Sequence, residues 1–289
     1  MNRSIIRVCL LIPALLCISP FTGRCLTLKV AANGDIQAAI DSVAAAGGGV
    51  VNIGSGTAGH STTLRMKSKV TLNGAGNPTT TLTTIGDITL ISTSSDGLSN
   101  VILQNIKLSG NGGTGSTSNC GYIIASLSTH HNAITASNVQ LQNFGGIACH
   151  YKRADNSTIT GCNFHDSGAD VYSHNLYIRE CTSTNVAGTN LSNSPFGSGF
   201  HLAGSTTGGS IKTSTLNSNG EDGMNIQDSP SNYTVDGCTA NSNRNATAGR
   251  SDGIGVNAQT GTGSVKNCTA TGNRVNYQVG GGYAQSNNH

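Results

Sequence analysis

Apolar residues along this chain follow two rhythms. In "NGDIQAAIDSVAAAGGGVVNI", Ile36, Ile40 and Val43 fall at helical spacing, with Asp35 where an N-cap belongs and Gly47 to Gly49 as a stop. This predicts one amphipathic helix followed by a strand over Val50 to Ile53. From "VILQNIKLSGNG" onward the rhythm shortens to an apolar residue, two intervening residues, a Cys or Ser, and an ending in Asn or Gly turns. It recurs in "STITGCNFHDSG", "LYIRECTSTNVAG", "GSIKTSTLNSNG", "YTVDGCTANSN" and "GSVKNCTATGN". Aligning Cys162, Cys181, Ser214, Cys238 and Cys268 gives steps of 19, 33, 24 and 30 residues, as in solenoid coils with variable loops.

A second short strand recurs between these repeats, in "GIACH", "DVYSH", "GFHLA", "GMNIQ" and "GIGVN". Its inward position is read as Ile147, Val171, Phe200, Met224 and Ile254. Two or three short strands per coil, stacked coil upon coil, make an all-β parallel β-helix. The helix would cover the first coil, because an open end exposes both a core and a strand edge.

Composition narrows the class further. The chain has 289 residues, 39 glycines, no Trp and only 10% charged residues. Polar residues are interrupted at short intervals by Val, Ile and Leu, which argues against disorder and for one large domain. Arg3 and Arg7 precede the apolar run Val8 to Ile18, which is too short to span a bilayer and has the layout of a secretory signal. Residues 1–25 are therefore read as a signal peptide and 26–289 as a single domain. Removing Arg3, Arg7 and Arg24 takes the formal charge from +3 to 0, which argues against a nucleic-acid partner. No later segment has the apolar length of a membrane span, so a secreted, monomeric protein is expected.

Secretion permits disulfides. Cys162 with Cys181, and Cys238 with Cys268, are read at matching positions of adjacent coils, either as disulfides or as a ladder of small buried thiols. No zinc-ligand spacing is present. Glycosylation sequons occur at Asn156, Asn190, Asn232, Asn245 and Asn267. Arg65, Lys67 and Lys69 alternate, so one face of that predicted strand is cationic.

The stretch "GDIQAAIDSVAAAGGGVVNI" resembles the N-terminal cap of pectate-lyase-like right-handed β-helix proteins. "GFHLAGSTTGGSIKTSTLNSNGEDGMNI" resembles coils of mannuronan C5-epimerases and related uronan-active enzymes. The resemblance covers the mature chain and implies a right-handed fold and polysaccharide chemistry.

With Val171 inward, Asp170, Tyr172 and His174 would point outward on one strand. His150 would lie one coil before, with Lys152 and Arg153 beyond it; His201 would lie one coil after, followed by Asn225 and Gln227. β-Elimination on a uronic acid needs a neutralised carboxylate, a base near neutral pKa and an acid for the leaving oxygen. His174, His201 or His150 could be the base and Tyr172 the acid. Lys152, Arg153 or bound Ca²⁺ could be the neutraliser. The epimerases carry a Tyr-Gly-x-Asp-Pro-His run at their site. Gly168 and Asp170 match it, while Ser167, Val171 and Tyr172 replace its Tyr, Pro and His, so Asp170 is the residue the resemblance implies as catalytic.

The expected activity is that of a lyase on an acidic polysaccharide, with three alternatives. A hydrolase would pair Asp170 with Glu221 or Asp222, two coils apart and about 9.6 Å by strand spacing, the geometry of an inverting enzyme. Against it, the paired Asp-Asp and Gly-His-Gly motifs of polygalacturonase-like hydrolases are missing, and Asp222 and Asp252 precede Gly223 and Gly253 as turn residues do. A C5-epimerase would share the first proton abstraction. A non-catalytic carbohydrate-binding protein would use Tyr151, Tyr172 and Tyr177 to stack on sugars.

Overall fold

The computed structural model describes residues 25–112, 119–244, 252–257 and 260–289. The expected signal peptide, Cys9, Cys17 and the Asn245 sequon lie outside these residues. The described chain winds into a right-handed parallel β-solenoid of about 10 turns. One broad sheet carries the long strands Ser99–Ser109 and His131–Gln142 near its middle. A narrower sheet runs in order from Leu64–Met66 to Val275–Val279, one strand per coil. Each coil pairs in parallel with the next, as in Ile134 with Val101 and Cys149 with Leu176.

The predicted helix spans Ile36–Ala45, and Asp35 Oδ1 accepts the Ala38 N–H at 2.9 Å. Its buried face is Ile36, Ile40 and Val43, packed over the first coil as expected. The predicted strand appears as Gly49–Ile53. A Cβ on Gly49, at φ +148, would lie 2.0 Å from the Leu26 carbonyl oxygen, so only glycine lets the chain drop from helix to sheet here. The expected cationic strand face is not continuous. The strand ends at Met66, Lys67 reaches Asp41 of the helix at 2.8 Å, and Lys69 is a corner residue at φ 62.

Corners are what the repeats encode. A coil turns by placing single residues in the left-handed region, and these residues stack in columns. One column is Asn138, Gly161, Gly188, Thr213, Gly237 and Asn267, and another is Asn143, Asp166, Asn193, Ser218, Ser242 and Gly272. Gly and Asn tolerate that conformation best, which explains the composition.

Directly after the first of these columns come Cys162, Thr189, Ser214, Cys238 and Cys268, and each donates to the carbonyl two residues back. The distances are 3.3, 3.1, 2.9, 3.7 and 3.1 Å. Thiol and hydroxyl are interchangeable there because both supply a short donor that spans the corner. Cys181 makes the same bond, to Arg179 O at 3.2 Å, but at a different corner of its coil. The register pairs Asn163 with Asn190, so the partner of Cys162 in the next coil is Thr189, not Cys181. This corrects the alignment. The steps become 27, 25, 24 and 30 residues, and a Cys162–Cys181 disulfide is ruled out by position. The described cysteines are free thiols. Cys238 and Cys268 do occupy matching positions, since Thr239 pairs with Thr269.

At a neighbouring corner, polar side chains carry the register inward. Asn219 Oδ1 accepts the Ser194 N–H at 3.0 Å, Asn243 Oδ1 accepts from Asn219 Nδ2 at 3.0 Å, and Asn273 Oδ1 accepts from Asn243 Nδ2 at 3.0 Å. The sequon residues Asn156, Asn190 and Asn267 likewise donate their amides to Asn132, Asn163 and Asp236 of the preceding coils.

Replacing Cys162 with Ser should leave stability nearly unchanged, because the donor persists, whereas Cys162→Val should cost about 1 kcal/mol by removing the side-chain hydrogen bond to the Thr160 carbonyl. Urea denaturation midpoints compare the two; equal midpoints would show that the sulfur acts only as an apolar filler.

Candidate functional site

Four strands of the narrower sheet build the site: Cys149–Lys152, Leu176–Arg179, Phe200–Ala203 and Met224–Ile226. Alternation sends Cys149, Leu176, Phe200 and Met224 into the core. The intervening residues point out, and register aligns them as His150, Tyr177, His201 and Asn225. Their rings touch in sequence. His150 stacks on Tyr177 with centroids 4.7 Å apart and planes at 8°, and Tyr177 meets His201 edge-on at 4.8 Å. At the next outward position Lys152 pairs with Arg179. Beyond them Glu180 takes Arg153 Nε at 2.8 Å and Arg179 Nε at 2.9 Å, so two guanidiniums share one carboxylate.

His174 joins this ladder from a different direction. The stretch Asp170 to His174 is not a strand. Asp170 Oδ1 accepts the Tyr172 N–H at 2.9 Å and the Ser173 hydroxyl at 2.7 Å, which curls the chain into a turn. Val171 is therefore not the inward residue of its coil, and Ile147 also gives way, to Cys149 two positions on. Tyr172 is 74% exposed on the turn, apart from the ladder. Asp170, with its Oδ1 held in the turn, is likewise not on the strip. His174 is buried behind it, 4.4 Å from the His201 ring and 5.7 Å from Tyr177.

A three-residue chain fixes that imidazole. The Ser198 N–H donates to His174 Nδ1 at 3.1 Å, and the Ser198 hydroxyl donates to Glu221 Oε2 at 3.2 Å. Because Nδ1 accepts a backbone proton, neutral His174 carries its own proton on Nε2 and is a donor there. A Cβ on Gly197 would sit 1.8 Å from the Ser173 carbonyl oxygen, so glycine is what allows Ser198 to approach. Glu221 thus has a supporting place behind the strip. Asp222 is 1% exposed and accepts the Asp252 N–H of the next coil at 2.8 Å, so it links coils rather than bonding its own turn. Neither carboxylate faces Asp170 across an open cleft as a hydrolase pair would.

Burial sets the electrostatics. Desolvation, reinforced by Lys152, Arg179 and His201, pulls His150 down to about 4, and its Nε2 is buried without a hydrogen-bond partner among the described residues. Desolvation also holds His174 well below the ordinary imidazole range, with His201 and His150 adding to it. Tyr177 is raised by burial, against the pull of Arg179. Burial alone would raise Glu180, but the hydrogen bond and charge of Arg153, with Arg179 and Lys152, bring it below the usual carboxylate value. Near neutral pH His150 and His174 are therefore uncharged and Tyr177 keeps its phenol proton, beside a cationic edge.

Of the expected residues, His150, His201, Lys152 and Asn225 are brought together as anticipated. Arg153 is placed at the corner, and Gln227 just past its strand. Asn225 is 1% exposed, with neither amide atom bonded among the described residues. Tyr177 and Arg179 were missed as members of the strip. Their signal was available: "LYIRE" alternates apolar and polar residues before a corner, as "CHYKR" does one coil earlier. Among the described residues no group of three or more His, Cys, Asp or Glu is placed to hold a metal ion.

The profile described as "Right handed beta helix region" matches residues 122–289. The chain belongs to that family. No curated protein matches it. Among solved structures it is similar to pectate lyase Pel9A, at 14% identity and TM-score 0.58, over 86% of this chain and 63% of the lyase. It is also similar to PfbA, a surface adhesin of Streptococcus pneumoniae, at 12% identity and TM-score 0.57, over 88% of this chain and 76% of the adhesin. Its likeness to the Azotobacter vinelandii mannuronan C-5 epimerase AlgE4 A-module is 17% identity and TM-score 0.48, over 88% and 89% of the two chains. These likenesses speak to the fold.

An imidazole kept neutral by the fold but charged in the unfolded chain destabilises the native state as pH falls. For His150 the window runs from about 6.5 down to about 4. Thermal melting between pH 7 and 4 should show stability falling, with at most about 3 kcal/mol from this residue, and His150→Gln should flatten the slope. An unchanged slope would mean that His150 is not held neutral.

Proposed function

We propose that this protein is a secreted enzyme that cleaves an acidic polysaccharide by β-elimination on the His150, Tyr177, His201 and Asn225 ladder. The observation that carries this reading is a ladder of imidazole and phenol rings with cations one outward position away, all on one sheet face. Asp170 and Tyr172 give up the catalytic roles expected of them to Tyr177 and Arg179.

A uronate carboxylate fits against Lys152 and Arg179, which withdraw charge and acidify the neighbouring C5–H. His201, between Tyr177 and His174, takes the C5 proton. The electron pair forms the C4–C5 double bond as the C4–O bond breaks. Tyr177, kept protonated by burial, delivers its proton to the departing oxygen. His174, its ring 4.4 Å from His201, is a positioning residue, and His150 supplies a stacking surface through Tyr177. No step is routed through a metal ion.

Incubation with polygalacturonate, polymannuronate, polyguluronate and a neutral glucan, following ultraviolet absorbance and reducing ends together, tests the assignment. Absorbance should rise with reducing ends on at least one uronan. Tyr177→Phe and His201→Gln should each lower kcat about 10²-fold or more, while Arg179→Met should act mainly on KM. Reducing ends without absorbance would move the reaction to hydrolysis. Binding with neither would leave a carbohydrate-binding role.

A further inference from the structure

Beside the ladder, the corners that lead into the narrower sheet enclose a second concavity of about 480 Å³. Phe196, 49% exposed, stands on one side, and Phe144 lies beneath. The floor includes Gly112, where a Cβ would meet nothing within 4 Å, and Gly145. Asn143 and Asp166 supply polar rims, and Asp166 is the one charged side chain on the described lining. The chain ties this groove to the site. Ala169 lines it five residues before His174, and Phe196 lines it two residues before Ser198, whose N–H holds His174.

We infer that this groove is a subsite for an uncharged sugar residue, so that an acidic heteropolysaccharide carrying neutral units is preferred over a homopolymer of uronic acid, which fills the ladder alone. The inference rests on reading the ladder as a polysaccharide site. An exposed aromatic face over an open floor suits the apolar face of a pyranose ring, and amide and carboxylate acceptors suit its hydroxyls. The Asp166 carboxylate, whose Oδ2 meets His165 Nδ1 at 2.6 Å, disfavours a uronate, whose preferred place is the cationic row of Lys152 and Arg179. The two subsites have opposite charge preferences, which sorts alternating or branched chains by composition.

The test uses the full chain and saturation-transfer NMR with neutral oligosaccharides (galactan, mannan, xylan and glucan fragments) and a galacturonate oligomer. At least one neutral oligosaccharide should bind, and Phe196→Ala should weaken it about fivefold or more with an unchanged melting temperature and unchanged galacturonate binding. Asp166→Asn should let galacturonate transfer saturation from this groove. If no neutral oligosaccharide binds, or if folded Phe196→Ala binds it as tightly as the parent, the inference is overturned. Absorbance assays on the same preparations report the elimination reading separately, because neutral binding at Phe196 does not depend on turnover.

Discussion

Register between coils is the constraint on which everything else depends. Each coil must return to the same phase about 4.8 Å along the axis, or every outward side chain moves to the wrong face. The chain secures this with left-handed corners stacked in columns, small donors that bond back across them, and a buried Asn ladder that passes hydrogen bonds from coil to coil. Insertions are absorbed between corners. Coil lengths can therefore vary by several residues while His150, Tyr177, His201 and Asn225 stay in line.

Once the line is fixed, its chemistry follows from crowding. Imidazole and phenol rings stacked a coil apart exclude water from one another, and neutral imidazoles are the result. The cations one position further on are kept from collapsing onto the ladder by Glu180, which anchors Arg153 and Arg179. Ser198 and Glu221, from two later coils, hold His174 in the tautomer with its proton on Nε2. The site is thus a property of four stacked coils, and no local motif contains it.

That explains which parts were legible in the sequence. The capping helix was legible because Ile36, Ile40, Val43 and Asp35 are local neighbours. The inward positions Phe200, Met224 and Ile254 were legible because their strands follow corners at short, regular intervals. The coil containing His174 was misphased because Asp170 builds a turn that consumes residues between the corner at Asp166 and the strand at Leu176. "DVYSH" alternates like a strand although Leu176–Arg179 form it. Cys181 compounded the error by performing, at another corner, the hydrogen bond that Cys162 performs. Tyr177 and Arg179 were hidden by the same slip, and the His174–Ser198–Glu221 chain spans coils that only the register brings together.

The most direct test of the account is a crystal structure of the Tyr177→Phe protein with a bound uronate-containing oligosaccharide. The account places a sugar carboxylate on Lys152 and Arg179, with the adjoining ring over positions 177 and 201. An oligosaccharide bound on the broad sheet, or with its carboxylate away from both cations, would contradict it.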